Sequence, residues 1–154
     1  LDNRLGFAAS LFYQDWDSQQ VEVGSYPNNY VTNAGKSKSY GAELELSYAA
    51  TDTLDLYGSV GLLHTEFESF EANGIDYSGQ SFPGAPEASI SVGYRAGEPI
   101  GWFHTGSVKY TGSSLSRLES GVAEPVELDA YTTVDLSVGY AWQKSKLTAY
   151  VTNA

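Results

Sequence analysis

The 154-residue sequence predicts an all-β fold, an antiparallel up-and-down meander of about seven strands. Three observations predict it. Apolar and polar residues alternate with period two over seven segments, the connections between segments alternate between short and long, and aromatic residues gather at both ends of the apolar faces. Successive side chains of a strand point to opposite faces, so such alternation marks a strand with one apolar and one polar side.

The first segment sets Leu5, Phe7, Ala9, Leu11 and Tyr13 against Gly6, Ala8, Ser10 and Gln14, with Phe12 the misfit. The second alternates without a miss: Tyr40, Ala42, Leu44, Leu46 and Tyr48 against Gly41, Glu43, Glu45 and Ser47. From Tyr40 to Tyr48 the chain advances about 26 Å at the usual strand rise. A tilt of about 40° makes that roughly 20 Å of height, close to the apolar band of a membrane barrel. The third opposes Leu54, Leu56, Gly58, Val60 and Leu62 to Asp55, Tyr57, Ser59 and Gly61, and the fourth Ala88, Ile90, Val92 and Tyr94 to Glu87, Ser89, Ser91, Gly93 and Arg95. The fifth opposes Trp102, His104, Gly106, Val108 and Tyr110 to Phe103, Thr105, Ser107 and Lys109. Val134, Leu136, Val138, Tyr140 and Trp142 against Asp135, Ser137, Gly139 and Ala141 make the sixth, and Leu147, Ala149 and Val151 against Lys146, Thr148 and Thr152 the seventh.

Short connections fall near 49–53, 96–101 and 143–145, and long ones near 17–35, 68–84 and 113–128. In a meander every second connection lies at the same end, so one end carries tight turns and the other long loops, the asymmetry of transmembrane barrels. Tyr48, Tyr94, Trp102, Tyr140 and Trp142 then lie at the short-turn end on the apolar parity, and Tyr13, Tyr40 and Tyr110 at the long-loop end. Rings with a polar tip favour the two membrane–water boundaries. The second face is mostly Gly, Ala and Ser with occasional carboxylates, which suits a wall facing a close-packed object inside a barrel. These features predict a barrel wall between lipid and a wet lumen, with a soluble amphipathic sheet as the alternative.

Composition narrows the function classes. A net charge of −11 argues against nucleic acid, whose phosphates need a basic surface. The absence of cysteine removes disulfides, thiolate metal sites and cysteine nucleophiles. No apolar run approaches the roughly 18 residues of a membrane helix, so a membrane role must come from strands. The chain opens at Leu1 in patterned sequence without a methionine, and it is expected to be a piece of something longer.

Four groups of residues carry a family resemblance: Asn33-Ala34-Gly35 followed by Gly41-Ala42-Glu43-Leu44-Glu45; Phe82-Pro83-Gly84-Ala85-Pro86 leading into a strand; Val134-Asp135-Leu136 followed by Gly139-Tyr140; and Val151-Thr152-Asn153. In this order and spacing the sequence resembles the C-terminal barrel region of TonB-dependent outer-membrane receptors. The resemblance implies a barrel of about 22 strands closed by an N-terminal plug. It also implies import of a scarce ligand, such as a ferric siderophore, cobalamin, haem or an oligosaccharide, with energy from the TonB complex. Residues 1–154 would be a partial barrel domain, roughly strands 15 to 21, without the plug, the TonB box or the last strand. Implied partners are outer-membrane lipid and lipopolysaccharide, the plug, TonB and a small-molecule ligand; no cofactor is implied.

No catalytic constellation stands out. His64 shares a strand face with Glu66, and His104 beside Trp102 reads as an interfacial residue; two histidines without paired ligand spacing do not suggest a metal site. Glu43, Glu45 and Asp135 on the polar face are expected to meet basic plug residues, with a cation path as the alternative. Ligand would first meet the long loops. Tyr26, Asn28, Asn29 and Tyr30 form a polar-aromatic cluster in the first; the second carries Glu68, Phe70, Glu71, Asp76 and Tyr77; Arg117 lies among Glu119, Glu124 and Glu127 in the third. Each loop residue also reads simply as solvated. Two other functions remain open: a passive porin, and a soluble carbohydrate-binding sandwich using Trp16, Tyr26 and Tyr30 as its platform.

Overall fold

The computed structural model describes residues 4–24, 26–118 and 126–154. Thirteen strands follow in chain order: β1 (Leu5–Asp17), β2 (Gln20–Val23), β3 (Tyr30–Asn33), β4 (Lys36–Thr51), β5 (Leu54–Ser69), β6 (Glu71–Ala72), β7 (Ile75–Asp76), β8 (Ala88–Gly97), β9 (Gly101–Thr111), β10 (Ser114–Arg117), β11 (Val126–Leu128), β12 (Tyr131–Ala141) and β13 (Lys146–Val151). Seven of them form one sheet in the order β1-β4-β5-β8-β9-β12-β13, every neighbouring pair antiparallel. These are the seven predicted strands, in sequence order and without a crossover. The other six pair as hairpins inside the long connections, β2 with β3, β6 with β7 and β10 with β11.

Register decides whether the seven apolar faces form one surface, because a slip of one residue would turn a strand over. Between Ser37 and Ala49 β4 keeps one register against β5, and the shifts in that pair, at Lys36/Ser37 and Ala49/Thr51, lie at its two ends. Leu44 lies opposite Ala9 and Val60, and Val60 opposite Ile90. Val92 lies opposite Val108, Val108 opposite Val134, and Val138 opposite Ala149. The sheet therefore presents one apolar side from β1 to β13. Leu44, Leu46, Leu56, Ile90, Val92, Val108, Leu136 and Val138 are all exposed there, Leu11 to 86%, and Val60 is half-buried. Among the described residues no second sheet packs on that side, unlike the sides of a sandwich.

The predicted aromatic bands meet ring to ring. Tyr13 stacks on Tyr40 with centroids 6.3 Å apart, and His64 lies 4.8 Å from Tyr40 at the long-loop end. At the other end Tyr140 lies 5.4 Å from Trp102 and 4.8 Å from Trp142.

Glycine and aromatic side chains interlock across the opposite face. A Cβ on Gly41 would fall 2.6 Å from the ring of Phe12, and one on Gly93 2.5 Å from the ring of Tyr57. Gly139 likewise makes room for Phe103, which is buried and carries the Lys146 ammonium 4.0 Å above its ring. Phe12, the misfit of the alternation, is thereby explained: it covers the strand backbone that Gly41 leaves bare.

The buried core is not in the wall. Val21, Val23, Ala34, Phe67, Phe70, Ala72, Tyr77 and Leu118 form it, and all but Phe67 come from the long connections. The expectation of simply solvated loops fails at these positions. The strands also run further toward the loops than the alternation indicated, with β4 and β5 of 16 residues each.

Candidate functional site

The loop cluster sits on the inner side of the sheet. Beyond Tyr40, the inner-parity residues Ser39, Ser37, Thr65 and Phe67 are buried to between 1 and 5% exposure, whereas Glu68, on the outer parity, is exposed. The loops have folded inward over the tops of β4 and β5.

Aromatic contacts and backbone bonds hold them there. Phe67 touches both Phe70 and Phe82, Phe70 reaches Tyr77, and Phe82 reaches Trp16 at 6.0 Å. The Phe67 N–H donates to the Gln80 carbonyl at 2.9 Å, and the Gly79 N–H donates back to the Phe67 carbonyl at 2.8 Å. Thr65 Oγ1 accepts from the Phe82 N–H at 2.9 Å, and Ser37 Oγ donates to Gln19 Oε1 at 2.6 Å. The Thr65 and Ser37 hydroxyls thus find partners, as burial demands, whereas the Tyr30 hydroxyl in the loop core is buried without one among the described residues. At the tip of β6–β7, Asn73 and Gly74 both have positive φ, 52° and 76°, the two-residue turn that fits the twist of a hairpin. Asp76 accepts from the Ser78 N–H at 2.9 Å, and the Ser78 side chain and N–H together hold its carboxyl below the usual carboxylate range.

The candidate ligand residues fall into different surroundings. Tyr26 is 92% exposed at the tip of the first loop. Asn28 and Asn29 are exposed beside it, and the Asn29 amide donates to Glu22. Tyr30 instead packs against the loop core, so it supports the loop beneath the solvent-facing Tyr26. Trp16 keeps 36% of its surface free with one side against Phe82. Arg117 ends β10 and is exposed, and Glu127 is exposed in β11. Glu119 and Glu124 lie outside the described residues.

On the inner wall, Glu43 accepts from Ser10 Oγ at 3.1 Å and remains exposed. Glu45 lines a shallow depression of about 440 Å³ together with Tyr57 and the small residues Gly6, Ala8, Ser47, Ser59 and Ser91. Asp135 is half-buried and accepts the Asn153 N–H at 2.9 Å, so it holds the turn that follows β13. Glu43 and Glu45 thus face open lumen, and Asp135 already has a structural duty. His104 Nδ1 lies 3.2 Å from the Tyr94 hydroxyl on the outer face, and His64 Nε2 lies 3.6 Å from Glu66. Among the described residues no group of three or more His, Asp or Glu converges as a metal site.

Sequence reasoning missed the loop core. Two signals for it exist: Val21 and Val23 alternate with Gln20 and Glu22, and Asn73-Gly74 is a strong hairpin turn pair. Nothing local in the sequence marks Leu118.

Solved structures share this arrangement of strands. The siderophore receptor PiuA from Acinetobacter baumannii superposes with a TM-score of 0.73 at 21% identity, over 99% of this chain and 22% of its own. The ferric yersiniabactin uptake receptor FyuA from Yersinia pestis gives 0.76 at 18% identity, over 99% and 23%. The copper transporter OprC gives 0.74 at 17%, over 98% and 23%. The chain thus spans between a fifth and a quarter of each of these proteins. At these identities the likeness is one of fold. The family model for the TonB-dependent receptor-like β-barrel matches residues 1–154, the whole sequence, and the chain belongs to that family.

Proposed function

We propose that this chain is part of the wall of an outer-membrane importer, which captures a scarce extracellular ligand on its three long loops and takes it up with energy delivered by TonB. The observation that carries the reading is the division of the sheet. A continuous apolar side, banded by rings at both ends, suits lipid, while the loops gather at one end over the other side. Family membership supplies the class.

In this reading the exposed outer residues contact lipid, and Glu43 and Glu45 receive basic groups of a plug. The small residues beside Glu45 leave room for an inserted arginine or lysine, and the carboxylate supplies the charge. Lipopolysaccharide would surround the band just above Tyr13 and Tyr40. Tyr26, Asn28, Asn29 and Arg117 offer stacking, hydrogen bonds and one positive charge at the mouth. The three long connections between the wall strands hold eight carboxylates and one base, Arg117, so their field disfavours a strongly anionic ferric complex and favours a neutral or cationic ligand.

Uptake by the intact receptor, measured in cells with and without a functional TonB system, tests the proposal. Import should disappear without TonB. Uptake that persists would assign the protein to passive diffusion through a pore.

A further inference from the structure

The long loops are joined to one another as well as to the strands they connect. Val23 of the first pairs in parallel with Leu118 of the third. The Gly24 N–H donates to the Leu118 carbonyl at 2.8 Å, and the Gly84 N–H of the second loop donates to the Leu115 carbonyl of the third at 2.7 Å. Val23 and Leu118 have no exposed surface, and they share one buried cluster with Phe70, Ala72 and Tyr77 of the second loop. Leu118 bonds to the first loop and lies in the one buried cluster to which all three contribute.

From this we infer that the three loops form a single body, assembled before any ligand arrives, and that they open together. A loop held only by its own ends opens at small free energy, whereas shared backbone bonds and buried apolar contacts tie its opening to that of its neighbours. The hairpins show the dependence. A two-stranded hairpin is marginal in water by itself, and β6–β7 has only two residues in each strand. It is held by Ala72 and Tyr77, which are buried in the cluster that the other loops share. If the chain belongs to an importer as proposed above, the exposed surface of this body is a preformed capture site, because ordering is complete before binding. That consequence rests on the import reading; the coupling of the loops does not.

The test uses the intact receptor in nanodiscs with no ligand added. Asn28→Cys in the first loop and Glu71→Cys in the second, both exposed positions, carry spin labels. One narrow distance distribution is expected. Leu118→Ala, a change in the third loop, should broaden that distribution about twofold or more, because a side chain of the cluster shared by all three is lost. An unchanged width would overturn the inference, and so would a broad distribution before mutation. Should Leu118→Ala fail to assemble, Val23→Cys with Leu118→Cys gives an independent reading. The pair should oxidise spontaneously in whole cells, and persistent free thiols would overturn the coupling. Loss of TonB dependence with these results intact would remove the import reading alone.

Discussion

In the wall, Val92, Leu136 and Val138 are each about half-exposed on a sheet side that none of the other described residues covers, whereas near the upper end of β5 Phe67 is buried to 1% exposure. The residue types are alike and their surroundings opposite. The wall strands satisfy their backbone through a continuous ladder and leave their apolar side chains uncovered by the described residues, so side-chain packing inside the chain adds little there. The loops have short ladders of two to four residues, and burial must hold them. Truncating a side chain should therefore matter in one region and hardly in the other.

The largest effect is expected at Phe67→Ala. Removing a fully buried ring from between Phe70 and Phe82 costs about 3 to 5 kcal/mol of local stability. Hydrogen exchange should show lost protection across residues 70–82 and, through the shared core, at 20–34 and 114–118, with the wall amides unchanged. Leu136→Ala in lipid should leave exchange unaltered everywhere, since lipid fills the space. Equal losses from the two variants would erase the distinction between the regions.

Charge probes the wall more sharply than size. Leu136→Arg places a cation near the middle of the apolar side and should cost roughly 2 to 4 kcal/mol. Ser137→Arg points to the inner side, where it displaces only the 2.7 Å contact between the Ser137 and Thr105 hydroxyls, and it should cost markedly less. Refolding titrations into lipid vesicles compare the two directly, and equal costs would contradict the assigned faces.

Glycines of the two sides should show a contrast of their own, Gly41 on the inner side and Gly58 on the outer. Gly41→Ala would press its methyl on the Phe12 ring and the Leu62 carbonyl, an overpacking worth about 1 to 3 kcal/mol. At Gly58 the nearest atom to a new Cβ is the Ser91 carbonyl oxygen at 3.3 Å, so Gly58→Ala should be much milder. Thermal melting of both variants in detergent ranks them, and a reversed order would remove the ring-over-glycine account of Phe12.

These contrasts also explain what was legible in the sequence. Strand faces could be read from Leu44 or Val138 because each lies in a ladder of fixed period, and the register follows once every apolar face must share one side. The inner-face position of Glu43 and Glu45 was legible for the same reason. Leu118 was not, since its burial depends on Val23, far away in the chain, and on no repeat. Tyr30 and Tyr26 look equivalent in sequence, and only the packing of the β2–β3 hairpin separates a supporting ring from a solvent-facing one. Asp135 carried the right face, but its bond to the Asn153 N–H depends on how the chain turns after β13.

The smallest effect is expected where wall and loops join. Past the Tyr40 ring, outside the apolar band, Lys38 Nζ lies 3.1 Å from Glu66 and 3.0 Å from Glu68. Its bonds to Glu68 and then Glu66 push the Lys38 ammonium above its ordinary range, while Lys38, and to a lesser degree His64, hold the Glu66 carboxyl below the usual carboxylate value. A carboxylate depressed in the folded state contributes stability that is present above its ordinary pKa and is lost as pH falls through the depressed value. Amide protection at residues 36–39 and 65–68, corrected for intrinsic exchange, should therefore decline as pH drops through and below the ordinary carboxylate range, and should be constant near neutrality. Because the three side chains are partly solvated, added salt should flatten the dependence. Lys38→Gln should abolish it while leaving the loop core protected. A decline of the same size in Lys38→Gln would place the acid sensitivity in another carboxylate, with Asp76 in the β6–β7 hairpin the next to substitute.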